Sequence, residues 1–421
     1  MDIFKFGGAS LQNAAGIQNV QQIIENYKKD KLLVVVSAMG KTTNALEALL
    51  ETFYQQSHEA ETCFEQIKRY HFDILHELFK DPLHPIFDEV NNCFVEIDWI
   101  LEEGPQDSYD YLYDQMVSVG EIVSSKILTA YLQEQGLPAL WVDARNYIQT
   151  DNNYREAQVD WQKTNRQIQQ SLPVLLEKHI LITQGFIGST SENFTTTLGR
   201  EGSDYTAAIF ASCLNADSAS IWKDVPGVLN ADPKWFSDTE LIPELSYQDA
   251  IELTYYGATV IHPKTIKPLE NKEIPLRVRS FYQPDAPGTR ICRSKECLPV
   301  PSFIFKVNQV LISILPKDFS FILEDNLSEI FNLFHKHKVK INMMHNSAIS
   351  FSVSSDYNAQ KIEALVSDLK KRFDVSQQQD LELVTIRYFN QETIDRVLVN
   401  KRVIHEVKDA YTCQMLIQDI D

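Results

Sequence analysis

The chain has 421 residues, and its 58 Asp plus Glu against 39 Lys plus Arg leave a formal net charge of -19, which opposes non-specific attraction to nucleic acid or anionic lipid. With 44% hydrophobic residues it can bury about two to three cores, at roughly 150 residues per domain, so disordered and fibrous classes are excluded. No run approaches the roughly 18 apolar residues of a membrane span, and no basic stretch precedes an apolar one at the N-terminus; the expectation is a cytoplasmic protein with no nucleic acid and no membrane partner. The six cysteines form no Cys-x-x-Cys pair and no zinc spacing, and read as reduced, mostly buried thiols.

In chain order, Ile3 to Phe6 is a short apolar strand followed by Gly7-Gly8 and a helical pattern through Ile17, Val20, Ile23 and Ile24. Leu32 to Val36 is an unbroken apolar run that suits a strand buried on both faces. Strand, helix, strand is a βαβ unit, and Leu140 to Val142, His179 to Thr183, Ala219 to Trp222 and Ile274 to Val278 extend the series. These predict an α/β fold, a mostly parallel sheet sandwiched by helices, interrupted by a helical insertion from about residue 51 to 117. Prolines and a glycine between Gln283 and Ser302 mark a boundary. Beyond it the order is strand (Val310 to Leu315), helix, two strands, helix (Ala359 to Phe373) and strand (Leu381 to Tyr388), a smaller α+β ferredoxin-like domain. A second such unit starts after Tyr388 and looks cut short before its second helix.

Three segments carry candidate chemistry. Lys5-Phe6-Gly7-Gly8 places a lysine inside an apolar strand ahead of two glycines and a helix start, which would bring a point charge and backbone N–H groups to a phosphate; a tight turn with a snorkelling lysine is the plainer alternative. Thr197-Leu198-Gly199-Arg200-Glu201-Gly202-Ser203-Asp204 supplies hydroxyls, a guanidinium and a carboxylate ahead of a small-residue helix. Lys223-Asp224-Val225-Pro226-Gly227 follows a strand with the turn residues of a nucleotide-lining loop. By contrast, Gly40-Lys41-Thr42 fails as a P-loop, because the glycine required five residues before Gly40 is Val35.

Together with Ser37-Ala38-Met39-Gly40, Thr43-Asn44, Ser118-Val119-Gly120-Glu121, Thr183-Gln184-Gly185-Phe186, Gly257-Ala258 and His262-Pro263, these blocks resemble the aspartokinases of the amino acid kinase superfamily over roughly residues 3 to 290. The resemblance implies a catalytic domain over residues 1–290 and an ACT-type regulatory region over 303–421, with self-association through that region into a homodimer or higher homo-oligomer. It implies transfer of the γ-phosphoryl group of ATP, with Mg2+, to the side-chain carboxylate of L-aspartate, giving 4-phospho-L-aspartate, the entry to lysine, threonine and methionine synthesis. By the same resemblance Lys5, Gly7, Gly8, Ser37 and Asp204 serve phosphoryl transfer. Thr43, Glu121, Arg200 and Ser203 hold the substrate, with Glu121 on its α-ammonium and Arg200 on its α-carboxylate. Lys223, Asp224, Leu229, Lys234 and Thr259 line the nucleotide site, and Asn342, Asn346, Ser347 and Ala348 lie where relatives bind effectors. No metal ligand from protein side chains is expected. The chain departs from the family at Ala9 for a usual threonine, Thr259 for a usual lysine and Leu229 for a frequent aromatic. Alternative readings are a catalytically weak paralogue that senses an amino acid as a regulatory subunit, or an amino acid kinase with another substrate.

Overall fold

The structure is a computed structural model and describes residues 1–28, 31–57, 59–258, 261–293, 300–318 and 320–420. Two compact units interleave along the chain. Met1–Val228, Leu241–Ile251 and Val260–Cys297 form the first; Leu229–Glu240, Glu252–Thr259 and Leu298–Asp421 form the second.

The first unit opens with β1 (Asp2–Phe6), a 3-10 turn over Gly8–Leu11, α1 (Ala14–Tyr27) and β2 (Leu32–Val36). Every residue of β1 and β2 is buried, as the absence of alternation predicts for parallel strands covered on both faces. Then follow α2 (Thr42–Tyr54), α3 (Ala60–Leu78), α4 (Ile86–Glu103) and α5 (Tyr109–Glu134). Helices α3 and α4 are amphipathic, burying Phe64, Ile67, His71, Ile74 and Val90, Phe94, Ile97 at three- and four-residue steps. Helix α5 is buried along most of its length and packs on α2, α4, β3 and β4, so its polar residues Asp114 and Glu121 are carried into the interior.

The unit continues through β3 (Ala139–Val142), α6 (Trp161–Leu176), β4 (Ile180–Gln184), the hairpin β5 (Ile187–Ser189) and β6 (Thr195–Thr197), α7 (Gly202–Leu214) and β7 (Ser218–Lys223). It closes with β8 (Glu244–Ser246), α8 (Tyr247–Tyr256, which runs on into the second unit), α9 (Pro263–Glu270), β9 (Leu276–Ser280) and β10 (Thr289–Cys292). The main sheet has the order β3-β4-β2-β1-β7-β9-β10-β8. All its pairings are parallel except β9 with β10. The chain proceeds outward from β1 to β2 on one side and returns to β7 on the other, so a crevice opens beyond the carboxyl ends of these strands, the usual ligand position in such sheets. The strands β5, β6, β8 and β10 have no sequence signature because three or four residues are too few to establish a period.

The second unit is a six-stranded sheet of order β12-β13-β11-β14-β16-β15, built from β11 (Ser302–Pro316), α10 (Glu324–Lys336), β12 (Ile341–Asn346), β13 (Phe351–Asp356), α11 (Ala359–Leu369), β14 (Phe373–Arg387), α12 (Gln391–Val397), β15 (Lys401–Lys408) and β16 (Thr412–Asp419). Strand β11 begins eight residues before the apolar run at Val310, and β14 begins eight before Leu381. The early part of β14, Asp374 to Asp380, is polar and mostly solvated, which hides it from a search for hydrophobic alternation. Gln309–Pro316 pairs with Phe373–Leu381, and Ser302–Lys306 pairs with Leu383–Arg387, with a register irregularity between. The stretch after Tyr388 thus shares both long strands with the unit before it. Val310, Ile312, Ile330, Phe334, Val353 and Leu365 form one core; Phe303, Val384, Ile386, Ile394, Val397 and Met415 form another, joined by Ala231 and Phe236.

Candidate active site

Lys5 is the fourth residue of β1 and lies opposite Val35 and Ile221 in the flanking parallel strands. Its aliphatic neighbours leave the residue 8% exposed, and a cation so placed needs an anion. That anion is Asp204, 3% exposed, in the first turn of α7. Lys5 Nζ lies 2.7 Å from its Oδ1, and Lys223 Nζ, from the end of β7, lies 3.4 Å from its Oδ2. Burial alone would raise the Asp204 carboxyl; the ammoniums of Lys5 and Lys223 outweigh it and hold the group below the usual carboxylate range. Two cations bridged by one buried carboxylate leave a positive excess beside a helix N-terminus, the setting in which an anionic ligand is stabilised.

These side chains line a cleft of about 720 Å³ together with Ser37, Thr43, Glu121, Arg200 and Ser203. Ser37 directly follows β2 and donates its N–H to Phe6 O at 3.1 Å. Close backbone approach keeps the floor of this region compact. A Cβ on Gly8 would meet Gly40 O at 2.6 Å and Ala38 O at 2.8 Å, so Gly8 is demanded by packing of the two turns. Gly185 after β4 has the same character, since a Cβ there would lie 2.4 Å from Ser203 Cβ. Gly7 sits beside the ammonium, with its Cβ direction 3.5 Å from Lys5 Nζ.

Glu121 occupies the other side of the cleft. It is 2% exposed, and its Oε2 has no hydrogen-bond partner among the described residues. Burial pushes its carboxyl up to about 8, against the Ala38 N–H and the Lys5 charge. A buried carboxylate with an idle oxygen facing a cleft is matched by a cationic group of a ligand. Several lining residues carry no motif signal, namely Asp110, Tyr113, Asn153, Tyr154, Arg155 and Glu156, and they stand beside Phe186 and Glu201 from the quoted blocks. Of these, Arg155, Phe186 and Glu201 have positive φ, at 69°, 73° and 52°, a backbone state that residue type alone does not suggest.

The remaining expected residues lie elsewhere. Asp224 is exposed in the turn after β7. Leu229 and Lys234 belong to the second unit, and Thr259 lies outside the described residues. Lys41 and Thr42 face a separate cavity of about 740 Å³ with Ala9, Gln12 and Tyr70, while Thr43 faces the cleft. His262 caps α9, accepting from Lys264 N–H at 3.2 Å. In the second unit Asn342 is committed internally: it donates to Gln309 and Asp356 at 2.9 Å each and accepts from Lys306 at 2.8 Å. Asn346 ends β12, and Ser347 and Ala348 lie in the β12–β13 turn, where Ser347 N–H donates to Ser350 O and Ala348 O accepts from Ile322 N–H.

A mostly parallel sheet whose crevice holds two lysines on one buried carboxylate suits an anionic ligand, and the model of the amino acid kinase family matches residues 3–280. The chain belongs to that family. Within it the chain groups with the aspartokinases: the lysine-sensitive aspartokinase 3 of Escherichia coli K12 is 31% identical over 84% of this chain and 78% of the relative. A bifunctional aspartokinase/homoserine dehydrogenase 2 of Arabidopsis thaliana is 29% identical over 88% of this chain, which spans 42% of that longer relative. Among solved structures, E. coli aspartokinase III in complex with aspartate and ADP aligns with a TM-score of 0.83 at 28% identity, over 99% of this chain and 96% of that one. The aspartate kinase of Clostridium acetobutylicum, at 22% identity, shares the fold with a TM-score of 0.82 over 99% of this chain and 96% of that one.

Proposed function

We propose that this chain is an ATP-dependent aspartate kinase that forms 4-phospho-L-aspartate, the entry to lysine, threonine and methionine synthesis. The observation that carries the reading is the pairing, in one cleft, of the Lys5–Asp204–Lys223 array with the unpartnered buried oxygen of Glu121. A side-chain carboxylate oxygen of aspartate attacks the γ-phosphorus, the bond to the β,γ-bridging oxygen breaks, and ADP leaves with the electron pair. The acceptor, with an ordinary pKa near 3.9, is already ionised at pH 7, so no general base is required. The obstacle is bringing two anions together, which Lys5 and Lys223 offset while Asp204 fixes their direction. Glu121 receives the α-ammonium, Arg200 the α-carboxylate, and Thr43 and Ser203 complete the acceptor pocket. Among the described residues no group of three His, Cys, Asp or Glu is arranged to hold a metal. Mg2+ would ride on the nucleotide's phosphates and water, where it would spread the charge of the transferring group. Residues 1–290 carry this activity and 303–421 a regulatory and self-associating function in the cytoplasm.

Hydroxylamine trapping of the acyl phosphate with MgATP tests the reading. The expected result is a signal with L-aspartate and not with L-glutamate, lowered roughly 100- to 1000-fold by Lys5→Ala or Arg200→Ala. A folded protein that gives no signal with aspartate would refute it.

A further inference from the structure

Among the residues lining the cleft is an arginine that no motif singles out. Arg155 sits between β3 and α6 with φ at 69°, the left-handed region that a side-chain-bearing residue enters at a cost. Something must hold it there. Its N–H donates to both oxygens of Asp114, 3.1 Å each, and the same carboxylate accepts from the Thr197 N–H at 2.9 Å and the Thr197 hydroxyl at 2.6 Å. Asp114 is 0% exposed, so these bonds form in the interior, where an unmade bond leaves a polar group unsatisfied. On the opposite side of the backbone Gly199, at φ 75°, makes room: a Cβ there would come within 3.2 Å of Arg155 O.

The guanidinium lies 4.3 Å from the Tyr113 ring centroid and pairs with Glu47 at 3.2 Å and Asp110 at 3.5 Å. Glu47 belongs to α2 and Asp110 to α5. Glu47 is four residues beyond Thr43, and Asp110 and Asp114 precede Glu121 by eleven and seven residues, so each shares a helix face with one of the two acceptor contacts. The ion pairs across α2 and α5 therefore stand about one turn from Thr43 and, at Asp110, about three turns from Glu121, and Arg155 is among the residues that line the cleft.

We propose that Arg155 is a positioning and specificity-determining residue for the acceptor: it fixes the separation of α2 and α5 and closes the pocket at a length that admits aspartate and rejects the homologue longer by one methylene. The guanidinium, engaged by two carboxylates and the rings of Tyr109 and Tyr113, acts as a wall and brace and not as a ligand of the substrate. Rejecting one extra methylene is worth roughly 10- to 200-fold in such pockets. This inference rests on the aspartate kinase reading.

The test is hydroxamate formation from MgATP with L-aspartate and with L-glutamate by the full chain, by Arg155→Ala, by Arg155→Lys and by Glu47→Gln, with a melting curve for each. Arg155→Ala is expected to raise the aspartate KM at least about tenfold, to leave the ATP KM within about twofold, and to lower the aspartate-to-glutamate ratio of kcat/KM at least about tenfold. Arg155→Lys, which keeps the charge without the planar fork, restores part of that ratio, and Glu47→Gln moves it in the same direction by less. An unchanged ratio in a folded Arg155→Ala variant overturns the inference, as does a parallel rise of both KM values with a lowered Tm. If Arg155→Ala does not fold, unchanged discrimination in both other variants overturns it equally. A wild-type chain that phosphorylates neither amino acid refutes the functional reading itself, a result distinct from an active wild type with indifferent variants.

Discussion

Glu121 holds its place in the cleft at the expense of stability. Its carboxyl titrates at about 8 where the ordinary value is 4.5, chiefly through burial. The folded chain therefore keeps a proton that the unfolded chain has lost between those two values. The stabilisation linked to that proton is full below about pH 4.5 and disappears as pH rises through about 8. Glu121→Gln, uncharged throughout, should raise the Tm of the ligand-free protein at pH 8.5 by the equivalent of a few kcal/mol, each tenfold change in proton affinity being worth roughly 1.4 kcal/mol, and change little at pH 5. The same substitution should raise the aspartate KM at least about tenfold with the ATP KM unchanged, while in the wild type aspartate binding should tighten as pH rises from 6.5 towards 8. A Tm difference that is flat with pH, or a variant with unaltered aspartate KM, would refute the assignment of this carboxylate to the α-ammonium. Lys5 is legible in the sequence because a cation in an apolar strand contradicts its surroundings. Asp114 and Arg155 are not: the partners of Asp114 lie 41 and 83 residues away, and nothing local distinguishes a buried carboxylate from a solvated one.

At the scale of elements, the turns after β1, β2 and β4 are held together by what their glycines lack. Gly8→Ala drives a Cβ into two backbone carbonyls, which cannot rotate away as a side chain would. Its expected cost is roughly 1–3 kcal/mol in urea unfolding, with loss of phosphoryl transfer because Lys5 and Ser37 flank the displaced turn. Gly136 is the useful contrast, with φ at 79° and nothing within 4 Å of its Cβ direction: Gly136→Ala should cost only the backbone strain, roughly 1–2 kcal/mol, and leave activity intact. Equal effects of the two substitutions would contradict this. The sequence displays Gly8 as a turn residue, and the glycine pair after β1 reads there as access for a phosphate. That Gly8 is also a packing requirement follows from Gly40 N–H donating to Gly8 O at 2.9 Å, a pairing between residues 32 positions apart. Likewise β14 is legible only from Leu381 onward, because Asp374 to Asp380 is mostly polar and solvated, and the start of β11 is missed because Lys306, Asn308 and Gln309 interrupt its apolar pattern.

On the scale of the whole molecule, the second unit takes in Leu229–Glu240 from the middle of the chain. Phe236 stacks near Phe303 and Phe305, with ring centroids 5.1 and 5.5 Å apart, and Trp235 lies 5.3 Å from Phe305. A chain ended at residue 297 would expose these rings, so it should aggregate and melt below the full chain; a monodisperse fragment with the full-length Tm, by light scattering and calorimetry, would contradict that. What the sequence determined by itself was the alternation of buried strands with helices, the helical insertion, the change of pattern near residue 300 and the glycine-flanked lysine, because each is a matter of neighbours along the chain. Tertiary structure alone decided that Lys5, Lys223 and Asp204 meet, that Glu121 Oε2 is left without a partner among the described residues and that Arg155 is held between α2 and α5. Those facts depend on the strand order β4-β2-β1-β7 and on the path of α5 through the interior, and such long-range packing leaves no period for a local pattern to reveal.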